Sequence, residues 1–232
     1  MVKMKYNWLP DFVYAGIDGS ITTFAVVAGV VGADLSSPVI LILGFANLFA
    51  DGFSMATGKY LSDKAELERM QYLRAIEERS IIEKPKEEKK EIEIILKSFG
   101  FRGEDLSRAK KVIFKNPKTW VNLMMNHELN IIEDNVEPVK GAMVTILAFV
   151  TIGLVPLLGY VFQRFLPMNT ESLFIGTCFS TLLALFFVGT VKSRFSKKSW
   201  VIGGLETSAI GGLAASIAYF VGYFLNFLSL QA

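Results

Sequence analysis

The chain has 232 residues, 52% of them hydrophobic and only 20% charged, with a formal net charge of +2. So apolar a composition excludes an ordinary soluble domain, and so small a net charge excludes binding nucleic acid by bulk electrostatics. A single cysteine, Cys178, excludes an intrachain disulfide and carries no information on redox compartment.

Five apolar runs follow in chain order, at 12–33, 38–61, 141–163, 172–191 and 200–228. Each reaches the roughly 20 residues that a helix rising about 1.5 Å per residue needs to cross about 30 Å of hydrocarbon. The runs are continuous rather than alternating, which favours helices over barrel strands. The first contains Asp18 and lacks the layout of a cleavable signal, so it is expected to stay in the mature chain.

Residues 62–139 break the series with a charge-dense insert. Its first part, SDKAELERMQYLRAIEERSIIE, has no Gly or Pro, so the second span is expected to run on as one long helix as far as Pro85. Three further helices are expected over 86–99, 104–115 and 119–132, the last with Trp120, Leu123, Met124 and Ile131 available for one face. The expected organisation is therefore transmembrane helices one and two in residues 1–61, a cytoplasmic helical insert in 62–139, and helices three to five in 140–232.

Orientation follows from the basic residues of the short loops, which collect on the cytoplasmic side. Lys3 and Lys5 precede the first span, and the 34–37 turn has none. The insert is lysine-rich, Arg164 stands alone in its loop, Lys192, Arg194, Lys197 and Lys198 gather before the fifth span, and the tail has no charge. All agree on a cytoplasmic N-terminus and insert. The short N-terminus points to a prokaryotic cell membrane, with a vacuolar membrane as the alternative.

Two clusters in the insert are candidates for metal. Glu88 and Glu91 are neighbours on one helical face, and folding at Pro85 could bring Glu77 alongside. From spacing alone a solvated face laced with ion pairs is the stronger reading. Met124, Met125 and Glu128 place thioethers beside a carboxylate, a set suited to a borderline ion such as Fe²⁺, although a methionine pair more often packs a core. His127, the only histidine, stands in the same turn. No Glu-x-x-His pair occurs, which argues against a di-iron carboxylate oxidase in this insert; the chain is expected not to be an enzyme.

Within the spans, ionisable groups are costly and functional by default. Asp18 lies about 9 Å into the first span and Met55 at a similar depth in the antiparallel second. Asn47, Asp51, Met55 and Lys59 recur every fourth residue, forming one polar stripe. The stripe reads as a cation path; the plainer alternative is a helix-packing contact such as Asp51 with Lys59. Glu206 in the fifth span suits an interfacial salt bridge as well as transport. Gly204, Ser208, Gly212 and Ser216 on the fifth span, with Gly44, Gly52 and Ala56 on the second, make faces that permit close helix approach.

DGSITTFAVVAGVVGA in the first span, FADGFSMATGKYLSDKAE at the end of the second, the MMNHE turn and GLVPLLGY in the third together resemble the vacuolar iron transporter family over nearly the whole chain. The resemblance implies an all-α membrane homodimer of five spans per subunit, a path between the subunits, and an insert that gathers Fe²⁺ while protons flow the opposite way. It also implies that Asp18 and Met55 form the membrane ion site, and that Glu77, Glu88, Glu91, Met124, Met125 and Glu128 bind metal in the insert. Two positions depart from the family pattern. Asn47 stands where a glutamate is usual, with Asp51 one turn away as its replacement, and Ser80 stands where another glutamate is usual, with Glu83 nearby.

The expected activity is proton-coupled removal of Fe²⁺ from the cytoplasm, with Mn²⁺, then Co²⁺ and Zn²⁺, as further cargo. The competing reading is a membrane-bound sensor or store that binds metal without moving it. Partners are the lipid bilayer, a second copy of the chain, metal ions and protons, and no nucleic acid.

Overall fold

A computed structural model describes residues 6–129, 136–165, 168–195, 197 and 199–230. Among these there are nine α-helices and no strand: α1 (Leu9–Gly32), α2 (Ser37–Glu83), α3 (Pro85–Ser98), α4 (Gly103–Phe114), α5 (Pro117–His127), α6 (Pro138–Gly153), α7 (Val155–Val161), α8 (Thr170–Ser193) and α9 (Trp200–Ser229). Lys3, Lys5, Ile131 and Lys198 lie outside the described residues.

The chain packs as two compact units, residues 7–61 with 137–232 and residues 62–136, and α2 runs through the boundary without a break over 47 residues. The apolar runs correspond to α1, the first part of α2, the pair α6–α7, α8 and α9. Four of these helices are individually long and apolar enough to span a bilayer. The third run, expected as one continuous helix, is bent by 46° between α6 and α7. Pro156 is the cause: it has no N–H for the carbonyl one turn back, and its ring crowds that turn.

In the first unit α1 is the central helix, packed on α6, α7, α8 and α9. Hydrocarbon gives helices no solvophobic drive to associate, so close backbone approach must hold them. Glycine supplies it where α1 meets α6 and α9 and where α8 meets α9. A Cβ on Gly19 would stand 2.5 Å from the Phe149 carbonyl oxygen of α6. One on Gly32 or Gly222 would collide with the Tyr219 or Gly29 carbonyl at the α1–α9 crossing, and one on Gly189 with Gly203 where α8 meets α9. Ala15, Val27, Leu48, Phe149, Leu157 and Tyr160 form the dry core between them. Ile42, Phe49, Phe53, Phe179, Leu213 and Phe220 point outward, as lipid-facing residues must. On the fifth-span face read from sequence, Gly204 lies against Phe186, and the Ser208 hydroxyl donates to the Leu182 carbonyl at 2.9 Å.

The second unit is built as a water-soluble protein would be. Ile92, Ile95, Leu96, Ile113, Trp120 and Met124 form its core, with the Phe114 and Trp120 rings 4.7 Å apart. Charged groups brace its outside: Glu93 is paired with Lys97 at 2.7 Å and with Lys110 at 2.5 Å, which ties α3 to α4. The Arg74 guanidinium donates to Asn122 Oδ1, tying α2 to α5. Gly100, with a φ of +94°, turns the chain out of α3, a conformation that a side chain resists. Pro85 and Pro117 open α3 and α5, where a missing N–H is harmless, and Asn116 accepts from the Thr119 N–H at 3.3 Å.

Candidate metal sites

In the insert, the bend at Lys84–Pro85 folds α3 back on the end of α2 and so sets Glu88 and Glu91 facing Glu77. Glu77 and Glu88 are both 7% exposed. Burial pushes the Glu88 carboxyl up to about 7, helped by the charges of Glu91, Glu77 and Glu128. Glu77 is raised too, by burial first and by Glu91 second. Glu128, at the end of α5, is pushed up to about 6 by partial dehydration, with Glu91 and Glu77 adding to it. Four carboxylates from three helices therefore converge closely enough to oppose one another's ionisation. They stand too far apart to ligate one ion as they are: among the described residues no three His, Cys, Asp or Glu groups come close enough to share a metal ion.

Glu88 Oε2 is buried without a hydrogen-bond partner among the described residues. A solvated helix face does not leave a carboxylate oxygen in this condition, because an unpaired buried charge is costly. The ion-paired surface that spacing alone favoured is present, but on other residues: Glu93 carries it, held down to about 2 by hydrogen bonds from Lys110 and Lys97.

Met124 and Met125 are fully buried. Met124 packs among Ile92, Ile95 and Trp120, and Met125 against Val121, Met70, Leu73 and Ile81. Both thioethers thus serve the apolar core beside the carboxylates. Met70, which packs against the same cluster, is not singled out by the sequence, since only its position on the long α2 brings it there. His127 stacks edge-on against Phe99, with ring centroids 4.8 Å apart.

In the membrane unit, Asp18 and Asp51 are electrostatic neighbours across the α1–α2 pair. Met55 lies one turn from Asp51 and packs on the edge of the core cluster that contains Ala15. Asn47, one turn on the other side, buries its side-chain N–H₂ without a partner among the described residues. Asp18 also lines a groove of about 460 Å³ along α1, with Tyr14, Ile17, Ile21 and, from α8, Lys192. Lys59, weighed as a partner for Asp51, is bonded instead to Asp11 of α1 at 3.2 Å. Glu206 sits on the exposed side of α9.

These features define a polytopic α-helical membrane protein that carries acids inside its helix bundle and a carboxylate cluster in a separate helical unit. Residues 9–223 match the VIT family, and the chain belongs to it. It is 35% identical over 226 residues to a vacuolar iron transporter of Toxoplasma gondii, covering 95% of this chain and 75% of that protein. Vacuolar iron transporter 1 of Tulipa gesneriana is 35% identical over 214 residues, 90% of this chain and 83% of its own. Vacuolar iron transporter 1 of Arabidopsis thaliana is 30% identical over 210 residues, 90% and 82% respectively.

Proposed function

We propose that the protein is a homodimeric transporter that carries Fe²⁺, with Mn²⁺ as a second cargo, out of the cytoplasm in exchange for protons. Family membership and relatives named as iron transporters support iron as cargo. The observation that carries the reading is the buried, unpartnered carboxylate oxygen of Glu88 among three other carboxylates. The basic loops favour a cytoplasmic insert comprising residues 62–139, and Ala46, Ala50 and Ser54, recurring on the exposed face of α2, offer a surface for close packing by a second subunit.

In this scheme a divalent ion draws Glu77, Glu88, Glu91 and Glu128 together, and Met124 and Met125 turn from the apolar core to ligate it, which favours Fe²⁺ over harder ions. At neutral pH its arrival expels the proton that Glu88, with its value of about 7, still partly holds. The ion then passes to Asp18 and Met55, where Asp51 supplies the carboxylate that Asn47 does not. Protonation of these acids from the far side discharges the metal there, and their deprotonation towards the cytoplasm resets the carrier.

The test is Fe²⁺ uptake by proteoliposomes with an acidic or a neutral lumen. Uptake that needs the acidic lumen and vanishes in Asp18→Ala is the expected result. Stoichiometric binding without uptake would overturn the reading in favour of a sensor or store.

A further inference from the structure

The Asp11–Lys59 pair is an ion pair between two membrane helices, with side chains 14% and 30% exposed. Its place on both helices gives it meaning. Asp11 is seven residues before Asp18 on α1, so two turns put both on nearly one face, about 10 Å apart along the axis. Lys59 is eight residues beyond Asp51 on α2, a little over two turns, with Met55 midway on the same i+4 stripe. The helix pair therefore carries two matched levels: an outer one of Asp11 with Lys59, and an inner one of Asp18 with Asp51. At the inner level two acids repel each other; at the outer level one acid is already satisfied by a built-in cation.

Resting on the transport reading, we propose that Asp11 and Lys59 form a cation-displaceable latch over the approach from the insert side to Asp18. The Lys59 ammonium on Asp11 presents a fixed positive charge in front of the inner acids, which raises the barrier for any cation. Opening requires an ion that takes Asp11 away from an ammonium held at 3.2 Å. A divalent ion has the charge to do so, and an alkali ion does not. Once released, the four-carbon lysine stem lets the ammonium swing out to the water interface. Lys59 thus selects for divalent cargo without being one of its ligands, and the carrier stays closed to leak when no cargo is present.

The full-length protein in proteoliposomes tests this in two ways. First, peptide-level acetylation of Lys59 in the unmodified protein reports whether its amine is held. Labelling is expected to be slow without metal and several-fold faster with saturating Mn²⁺, whereas Mg²⁺-free K⁺ leaves it slow. Second, Lys59→Gln is expected to raise proton and K⁺ leak several-fold in the absence of cargo, and the exchange Asp11→Lys with Lys59→Asp to restore tightness. Labelling indifferent to metal, together with unchanged leak in Lys59→Gln, would overturn the latch even if Fe²⁺ transport is normal. Metal-dependent labelling in a protein that moves no Fe²⁺ would uphold the latch and overturn the transport reading.

Discussion

The two units hold together by different physics. Between α1 and α6, α1 and α9, and α8 and α9 glycine brings backbone against backbone, and among the described residues few polar links join membrane helices beyond Asp11–Lys59 and Ser208. In the insert, a modest apolar core is fastened by charged braces and then strained by four carboxylates that dislike one another. One unit tolerates no added volume at its glycine crossings; the other holds carboxylates whose repulsion a bound cation or proton would relieve. On the proposed transport reading, that difference divides the tasks: capture in the strained unit, passage in the tight one.

The largest effect should come from violating the tight unit. Gly32→Ala would drive a methyl into the Tyr219 carbonyl, an atom that cannot rotate away, and overpacking of this kind costs about 1–3 kcal/mol or more. Thermal unfolding in detergent should show a severe loss. Gly58→Ala on α2, where a Cβ meets open space, should leave the midpoint unchanged and gain a little helix propensity. Equal behaviour of the two would break the account of the crossings.

Next comes relief of the strained unit by metal and by protons. With Trp8 and Trp200 replaced by Phe, Trp120 reports on the insert core alone. Glu88 and Glu128 have values raised above those of the unfolded chain, so the folded insert binds protons more tightly. Their stabilising contribution is fully present below the unfolded value of 4.5 and is lost as pH rises through about 6 and about 7. Metal-free protein should therefore unfold at lower denaturant at pH 8 than at pH 5.5. Saturating Mn²⁺ should reverse the trend, adding about 2.7 kcal/mol at a hundred times its Kd. Glu88→Gln should flatten the pH dependence.

The smallest effect belongs to the brace. Lys110→Met removes one of two cations from Glu93, and a half-exposed surface pair contributes little. A slight drop in the insert's midpoint is expected at neutral pH. Because Glu93 lies well below its ordinary value, the difference should fade only as pH falls from 4.5 towards about 2.

Much of the fold is legible in the sequence, because hydrocarbon thickness imposes a length on every span and composition reveals it. The bend at Pro156 is not, since a proline in an apolar run does not announce whether neighbouring helices will accommodate a kink. The acids of the candidate sites could be named from spacing and family resemblance, but not their states. Which glutamate is braced and which is left unpaired depends on partners such as Lys110, seventeen residues from Glu93 and on another helix. Lys59 shows the same limit: its sequence neighbour Asp51 offered a partner, and the structure gives it to Asp11 on a different helix.

The division of labour between capture and passage is tested most directly by the initial rate of Fe²⁺ uptake against Fe²⁺ concentration, for the unmodified protein, Glu88→Gln and Asp18→Asn. The account predicts that Glu88→Gln raises the half-saturating concentration and keeps the maximal rate, while Asp18→Asn abolishes the rate and leaves metal binding intact. A normal maximal rate in Asp18→Asn, or a lowered maximal rate at unchanged half-saturation in Glu88→Gln, would contradict it.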